Sequence, residues 1–146
     1  MIRTSTAPRR GEDGKLYLKS SGELAVMRRA GHLLQRIMHE VWDIITPGIT
    51  TLELDKLAHS RIKASGAKPG FLNLYNFPNT LCISVNEAVV HGIPGKRKLI
   101  EGDIVSIDCG LILQGFYADT AFTVPVGHVS AEAEKLLQVT KASLQA

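Results

Sequence analysis

An α+β fold, an antiparallel sheet with helices packed on one face, is predicted by three features of this 146-residue sequence. Two strand-like runs, Asp103 to Leu113 and Phe116 to Pro125, flank a short link containing Gln114-Gly115. Two helical stripes precede them, each opened by a Ser/Thr-x-x-Glu signature. The paired runs alternate so that only one of their faces is apolar, and the helices must cover that face. With 45% hydrophobic residues the chain holds enough apolar surface for one ordinary core.

Residues 1–19 are polar and basic, with Arg3, Arg9, Arg10, Lys15 and Lys19 against Glu12 and Asp13. They read as a solvated, flexible extension, with docking to an anionic surface such as the ribosome as the rival reading. Ser20-x-x-Glu23 then has the form of a capping box. Leu24, Met27, Ala30, Leu34, Ile37, Val41 and Ile45 follow at helical spacing, and Pro47-Gly48 ends the helix. His32 and His39 fall on its polar side and read as solvated. Thr50-x-x-Glu53 opens a shorter helix with Leu54, Leu57, Ala58 and Ile62 inward, His59 on the polar side and Gly66 at the end. Leu81 to Val85 reads as a short strand. After the paired runs, Ser130 caps a third helix with Leu136, Val139 and Leu144 inward. No Gly, Pro or basic cluster closes that helix before Ala146, so the natural polypeptide is expected to continue.

Each arm of the hairpin carries one aspartate, Asp108 and Asp119. A four-residue loop places them directly opposite one another; a two-residue loop, Gln114-Gly115, makes them diagonal neighbours. Side chains alternate with period 2, so both registers put the two carboxylates on one face. Val105, Ile107, Cys109 and Leu111 share the other face with Phe116, Ala118, Thr120, Phe122 and Val124, which reads as core. Carboxylates facing each other across a strand pair repel by ~0.2–1 kcal/mol, and more when desolvated. A hard or borderline divalent ion between them would relieve that repulsion. The spacing alone leaves the plainer alternative open, two aspartates that face water.

Between the second helix and the hairpin, Phe71, Tyr75 and Phe77 gather in a stretch too broken by Pro, Gly and Asn for a helix. It reads either as the wall of an apolar pocket or as a loop packed on the core. In His91-Gly92-Ile93-Pro94-Gly95 the backbone is pinned around His91, whose imidazole could donate a hydrogen bond or shuttle a proton beside a metal-activated water. A solitary turn histidine is the plainer alternative.

Several classes are excluded or disfavoured. A net charge of +3 without an aromatic-interleaved basic stripe does not argue for nucleic-acid binding. Apolar runs of only a few residues give no membrane span, and residues 1–10 lack the apolar segment of a secretory signal. Cys82 and Cys109 have no metal-type spacing, which points to a reducing, cytoplasmic setting.

Five segments together resemble type I methionine aminopeptidase. They are Leu18-Lys19-Ser20-x-x-Glu23-x-x-x-Met27-Arg28-x-Ala30-Gly31; Tyr75-Asn76-Phe77-Pro78; Ser84-Val85-Asn86-Glu87-x-Val89-Val90-His91-Gly92-Ile93-Pro94; Gly102 to Asp108; and Gly115-Phe116-Tyr117-Ala118-Asp119-Thr120. The similarity runs in order from about Leu18 to the C-terminus. Prolidases and aminopeptidases P share the paired aspartates but not the V-N-E-x-x-x-H-G-I-P string.

The resemblance implies the pita-bread fold, two pseudo-symmetric halves around a dinuclear centre of divalent ions such as Co, Mn or Fe(II), with residues 20–146 forming the N-terminal half of the catalytic domain. It implies a cytosolic hydrolase that removes the initiator methionine from nascent chains whose second residue is small. By position, Asp108 would bind one metal and Asp119 would bridge both, His91 would contact the substrate near the scissile amide, and Phe77 and Cys82 would line the methionine pocket with Tyr75 and Phe71 beside them. The ions would make a hydroxide available near neutral pH and polarise the carbonyl. Asn79 and Tyr117-Ala118 depart from many relatives in ways that look tolerable. The family's other ligands, one His and two Glu with the general base among them, have no counterpart in these 146 residues, and His128 is a poor substitute. The chain alone is therefore expected to bind metal weakly, to lack appreciable peptidase activity, and to expose sheet surface that favours aggregation or dimerisation. The alternative is a non-catalytic pita-bread module that binds peptides or ribosomes.

Overall fold

The computed structural model describes residues 18–146, so the basic extension expected over residues 1–19 falls, up to residue 17, outside the described residues. Helix α1, Ser21–Asp43, starts where the sequence signals it: the Ser20 hydroxyl accepts from the Glu23 N–H, and the Glu23 carboxylate accepts from the Ser20 N–H at 2.8 Å. Its Ala30, Leu34, Ile37, Met38 and Val41 enter the core. Leu24 and Met27, expected on the same stripe, stay partly exposed. The reason is where the helix lies: Arg29 donates to the Gln114 side chain at the hairpin tip (2.9 Å), and Trp42 packs against Phe122 with ring centroids 5.0 Å apart. The turns before Arg29 thus extend past the end of the sheet.

Helix α2, Thr51–Ala64, repeats the capping box with Thr50 and Glu53 and buries Leu54, Ala58 and Ile62. Arg61 bonds Glu40 across the two helices. His59, expected on the solvated side, is half-buried, with Nδ1 2.9 Å from the Thr80 hydroxyl. The approach of the next segment to α2, invisible in the helical period, accounts for the difference.

The sheet is built on the hairpin of β3, Ile104–Leu113, and β4, Phe116–Pro125. Leu113 pairs with Phe116, so the loop is the two-residue one. Gln114 and Gly115 both have positive φ (51° and 85°), the requirement of the tight turn that matches strand twist. The other side of β3 carries β2, Leu81–Val85, along Val105 to Cys109 and the two-residue β1, Lys68–Pro69, along Leu111 and Ile112. All pairs are antiparallel. Val105, Ile107, Cys109 and Leu111 on one face of β3 are fully buried among the α1 and α2 side chains. Among the described residues, helices cover that face only.

Helix α3, Ala131–Gln145, begins at Ser130 as expected, the hydroxyl accepting from the Ala133 N–H. Its stripe does not turn inward. Leu136 and Val139 are more than half exposed and Leu144 is 88% exposed, because among the described residues α3 meets little beyond the end of β4.

Candidate metal and substrate site

The second face of the hairpin holds the acidic pair. Asp108 stands opposite Ala121 and Asp119 opposite Gly110, so the two carboxylates are diagonal neighbours on one side of the sheet. On the other flank of β3, Cys82 stands opposite Asp108 and Ser84 opposite Ser106, and Ser106 shares a 2.8 Å hydroxyl contact with Thr123. The alternation explains this grouping, since even-numbered positions of β3 and odd-numbered positions of β4 face away from the helices.

Gly110 makes room for an aromatic neighbour. A Cβ there would lie 2.7 Å from a ring carbon of Phe71, so the Phe71 ring occupies the space beside Asp119 that any larger residue would fill. The Gly70 N–H donates to the Gly110 carbonyl at 2.7 Å and fixes this approach. The loop then turns through Asn73, Tyr75 and Asn76, all with positive φ, and closes with the Asn73 N–H donating to the Phe77 carbonyl at 2.8 Å. Such backbone is uncommon for non-glycine residues and marks a loop held in shape by its surroundings. Phe77 is half-buried there; Tyr75 projects into solvent, 95% exposed. Of the expected pocket residues, the structure therefore sets Phe71 and Cys82 beside the carboxylates and leaves Tyr75 facing outward.

His91 is held by its neighbour. The Gly92 N–H donates to the Ser84 hydroxyl (3.0 Å), and the Gly92 carbonyl accepts from the Ile83 N–H (2.8 Å). A Cβ on Gly92 would sit 2.0 Å from the Ile83 carbonyl oxygen, so only glycine lets this turn lie flat on β2. His91 itself has φ 57° and is near enough to Asp108 to act on its ionisation.

The electrostatics mark Asp108. Burial pushes its carboxyl up to about 6, and the Asp119 carboxylate pushes the same way, while His91 and the Cys109 backbone pull it down. One of its oxygens, Oδ1, is inaccessible to solvent and has no hydrogen-bond donor. Unsatisfied buried carboxylate oxygens are rare, and a cation is the partner chemistry that would satisfy this one. The residues fit a metal to that extent. They do not complete a cage: no group of three His, Cys, Asp or Glu side chains is placed to hold an ion among the described residues. The Cys82 thiol is pushed up to about 11 by burial first and by both aspartates second. His128 pairs with Glu101 instead, Nδ1 to Oε1 at 3.2 Å.

Two further carboxylates escaped the sequence reading because they position the site rather than form it. Asp55 on α2 accepts from the Thr80 and Leu81 N–H groups (both 2.8 Å) and from Asn79 Nδ2 (2.9 Å), fixing the start of β2. Asp103 accepts from Asn86 Nδ2 and the Ile100 N–H, and Asn86 in turn accepts from the Ile104 N–H, tying the end of β2 to the start of β3. The Asn86-Glu87 pair read in the motif hinted at the second; nothing local signalled the first.

Known proteins share this fold. The model of metallopeptidase family M24 matches residues 25–146. The methionine aminopeptidase of Borreliella burgdorferi is 53% identical over 130 residues, covering 89% of this chain and 52% of that protein; that of Clostridium perfringens is 49% identical over 128 residues, covering 88% and 51%. The crystal structure of methionine aminopeptidase from Rickettsia prowazekii superposes with a TM-score of 0.86 at 36% identity, over 90% of this chain and 53% of that one. The chain thus spans about half the length of the relatives it matches, and its open antiparallel sheet with three helices is the corresponding part of a pita-bread fold. On these matches, the chain belongs to metallopeptidase family M24.

Proposed function

We infer that this chain supplies one side of an active site that removes the initiator methionine from nascent proteins whose second residue is small. A metallopeptidase family implies divalent metal, and the observation that carries the reading is the Asp108–Asp119 pair on one uncovered sheet face, with Asp108 Oδ1 buried and unsatisfied. Asp108 would hold one ion and Asp119 would bridge two. Bound there, divalent ions such as Co, Mn or Fe(II) would polarise a peptide carbonyl and lower the pKa of a water.

The chain's own residues do the rest. Desolvation of Asp108 disfavours its bare ionised state, a cost that either a proton or a bound cation would relieve. His91, whose turn is held by the Gly92 strap, would donate a hydrogen bond near the scissile amide. Phe71 and Cys82 form an apolar wall beside the carboxylates that suits a thioether side chain, with Phe77 and Tyr75 further out on the loop. The relatives are named for methionine removal, and nascent chain N-termini in the cytoplasm are the substrate this reading assigns.

The test is complementation. The purified 146-residue chain is expected to bind Mn(II) weakly and to release no methionine from a Met-Gly peptide. Mixed with the unmatched half of the Borreliella burgdorferi enzyme, it should release methionine in a reaction that needs added divalent ion, Asp108 and Asp119. Failure of every such mixture, with folded halves in complex, would favour a non-catalytic module that binds peptides or ribosomes. Metal-dependent release by the chain alone would overturn the expectation that two carboxylates are insufficient.

A further inference from the structure

We propose that the exposed arginine row of α1, along the groove that α1 forms with the end of α2, binds the phosphate backbone of a single-stranded nucleic acid without reading its bases. The charges of this chain are segregated. Residues 24–39 and 56–86 contain no Asp or Glu, so all 14 acidic residues lie elsewhere in the sequence. The first window is most of α1 and the second takes in the C-terminal part of α2, and the two helices pack together. Arg28, Arg29 and Arg36 are exposed, and no carboxylate pairs with any of them among the described residues. Glu40, the acid at the border, is held by Arg61. The net charge of +3 for the whole chain conceals this separation.

The occupant follows from charge and spacing. Arg29, His32 and Arg36 line a groove of about 620 Å³ together with Leu33, Leu113 and Ser65 at the end of α2. That size falls within the ~300–1,000 Å³ of ligand clefts. Arg28, His32 and Arg36 recur every four residues, a rise of about 6 Å per step that is close to the separation of neighbouring phosphates along a strand. The basic residues of α1 in this stretch are Arg and His, never Lys, and a guanidinium fork meets phosphate oxygens in pairs. A phosphodiester strand carries its charge on the backbone at every step. An acidic peptide holds its carboxylates on rotatable side chains that must be immobilised one by one. No aromatic ring lines the groove, so nothing there stacks a base. Arg61 and Lys63 in the last turn of α2 offset the partial negative charge of that helix end. The groove lies on the helix side of the sheet and takes nothing from β4 or α3, so binding there needs neither Asp108 nor Asp119.

The experiment is fluorescence anisotropy of a labelled oligouridylate of about 12 nucleotides, titrated with the full chain in EDTA over a series of KCl concentrations. Three arginine–phosphate contacts should give a slope of log K against log[KCl] of about −2. Arg28→Gln combined with Arg36→Gln removes two of them, and should weaken binding about tenfold or more while moving the slope to about −0.7. Arg9→Gln combined with Arg10→Gln subtracts the same charge from the N-terminal segment and should weaken binding by about threefold or less. An oligocytidylate of the same length should bind about equally; circular dichroism checks that both double variants fold. An oligouridylate that fails to bind in about 50 mM KCl overturns the proposal. Equal losses from the two double variants also overturn it, because bulk charge or the N-terminal segment would then carry the binding. So does a preference of about tenfold or more between the two oligonucleotides, which would show that bases are read. A polyglutamate of matched length that binds as tightly, with the same loss in the Arg28 and Arg36 variant, overturns it in favour of a surface for acidic proteins.

Discussion

Asp55 and Asp103 contrast with Asp108 and Asp119. The first two are nearly inaccessible (7% and 2% exposed) and are filled by N–H donors, with Arg97 also 3.5 Å from Asp103. The second two are diagonal neighbours on a sheet face that no helix covers among the described residues, and one of their oxygens is buried without a hydrogen-bond donor. Both regions place carboxylates in partly desolvated surroundings. What separates them is satisfaction: a carboxylate saturated by backbone N–H groups holds strands in place, whereas one left short of donors keeps capacity for a ligand.

The sharpest way to break this comparison is Asp55→Ala. It leaves the Thr80 and Leu81 N–H groups buried without an acceptor, and each such group costs about 1–3 kcal/mol. We expect a loss of about 3 kcal/mol in urea denaturation, against little or none for Asp108→Ala. Equal losses at the two positions would remove the distinction. Next in size is Gly92→Ala, which forces a methyl into the Ile83 carbonyl and should lift the His91 turn from β2 at about 2 kcal/mol. The expected signature is local: the Ile83 amide, donor to the Gly92 carbonyl, should exchange at least ~tenfold faster while the β3–β4 amides keep their protection.

The functional region was more legible than its supports. Period-2 alternation put Asp108 and Asp119 on one face whichever hairpin loop formed, so the conclusion survived an undecided register. Capping boxes located α1 and α2 because their partners lie three residues apart. Asp55 was not legible because its acceptors' partners lie 24 to 26 residues away on another element. Periodicity also misplaced Leu136, Val139 and Leu144: it reports that a helix has an apolar side, not that anything covers that side. The outward Tyr75 belongs to the same class, since a loop with three left-handed residues aims side chains by tertiary contact and not by period.

The acidic pair gives the third prediction, from its pH dependence. The Asp108 carboxyl is raised from 3.8 to about 6 in the folded chain, by burial first and by Asp119 second. Between those values the folded state binds more protons than the unfolded, so stability falls as pH rises through that window and stays lower above it. Asp108→Asn fixes the neutral form and lets an amide donate to Asp119. In urea titrations the variant should match the parent near about pH 4 and exceed it by about 1 kcal/mol near about pH 7, a figure kept small because the half-exposed pair is screened. A parent whose stability rises across that window would show that the pair is held by something other than mutual repulsion.

The smallest effect divides the saturated region itself. Asn79 donates through Nδ2 to Asp55 Oδ2, while the backbone N–H groups of Thr80 and Leu81 serve Oδ1. Asn79→Ala removes one neutral donor to a charged acceptor on a partly solvated side, where water can replace it, and should cost about 0.5–1 kcal/mol. Asn79→Lys should restore the loss, because an ammonium can meet the same oxygen and adds charge complementarity. The pair of variants therefore separates two sources of hold on β2. If Asn79→Ala cost as much as Asp55→Ala, the side-chain contact and not the two backbone N–H groups would be what fixes the strand that carries Cys82 beside Asp108.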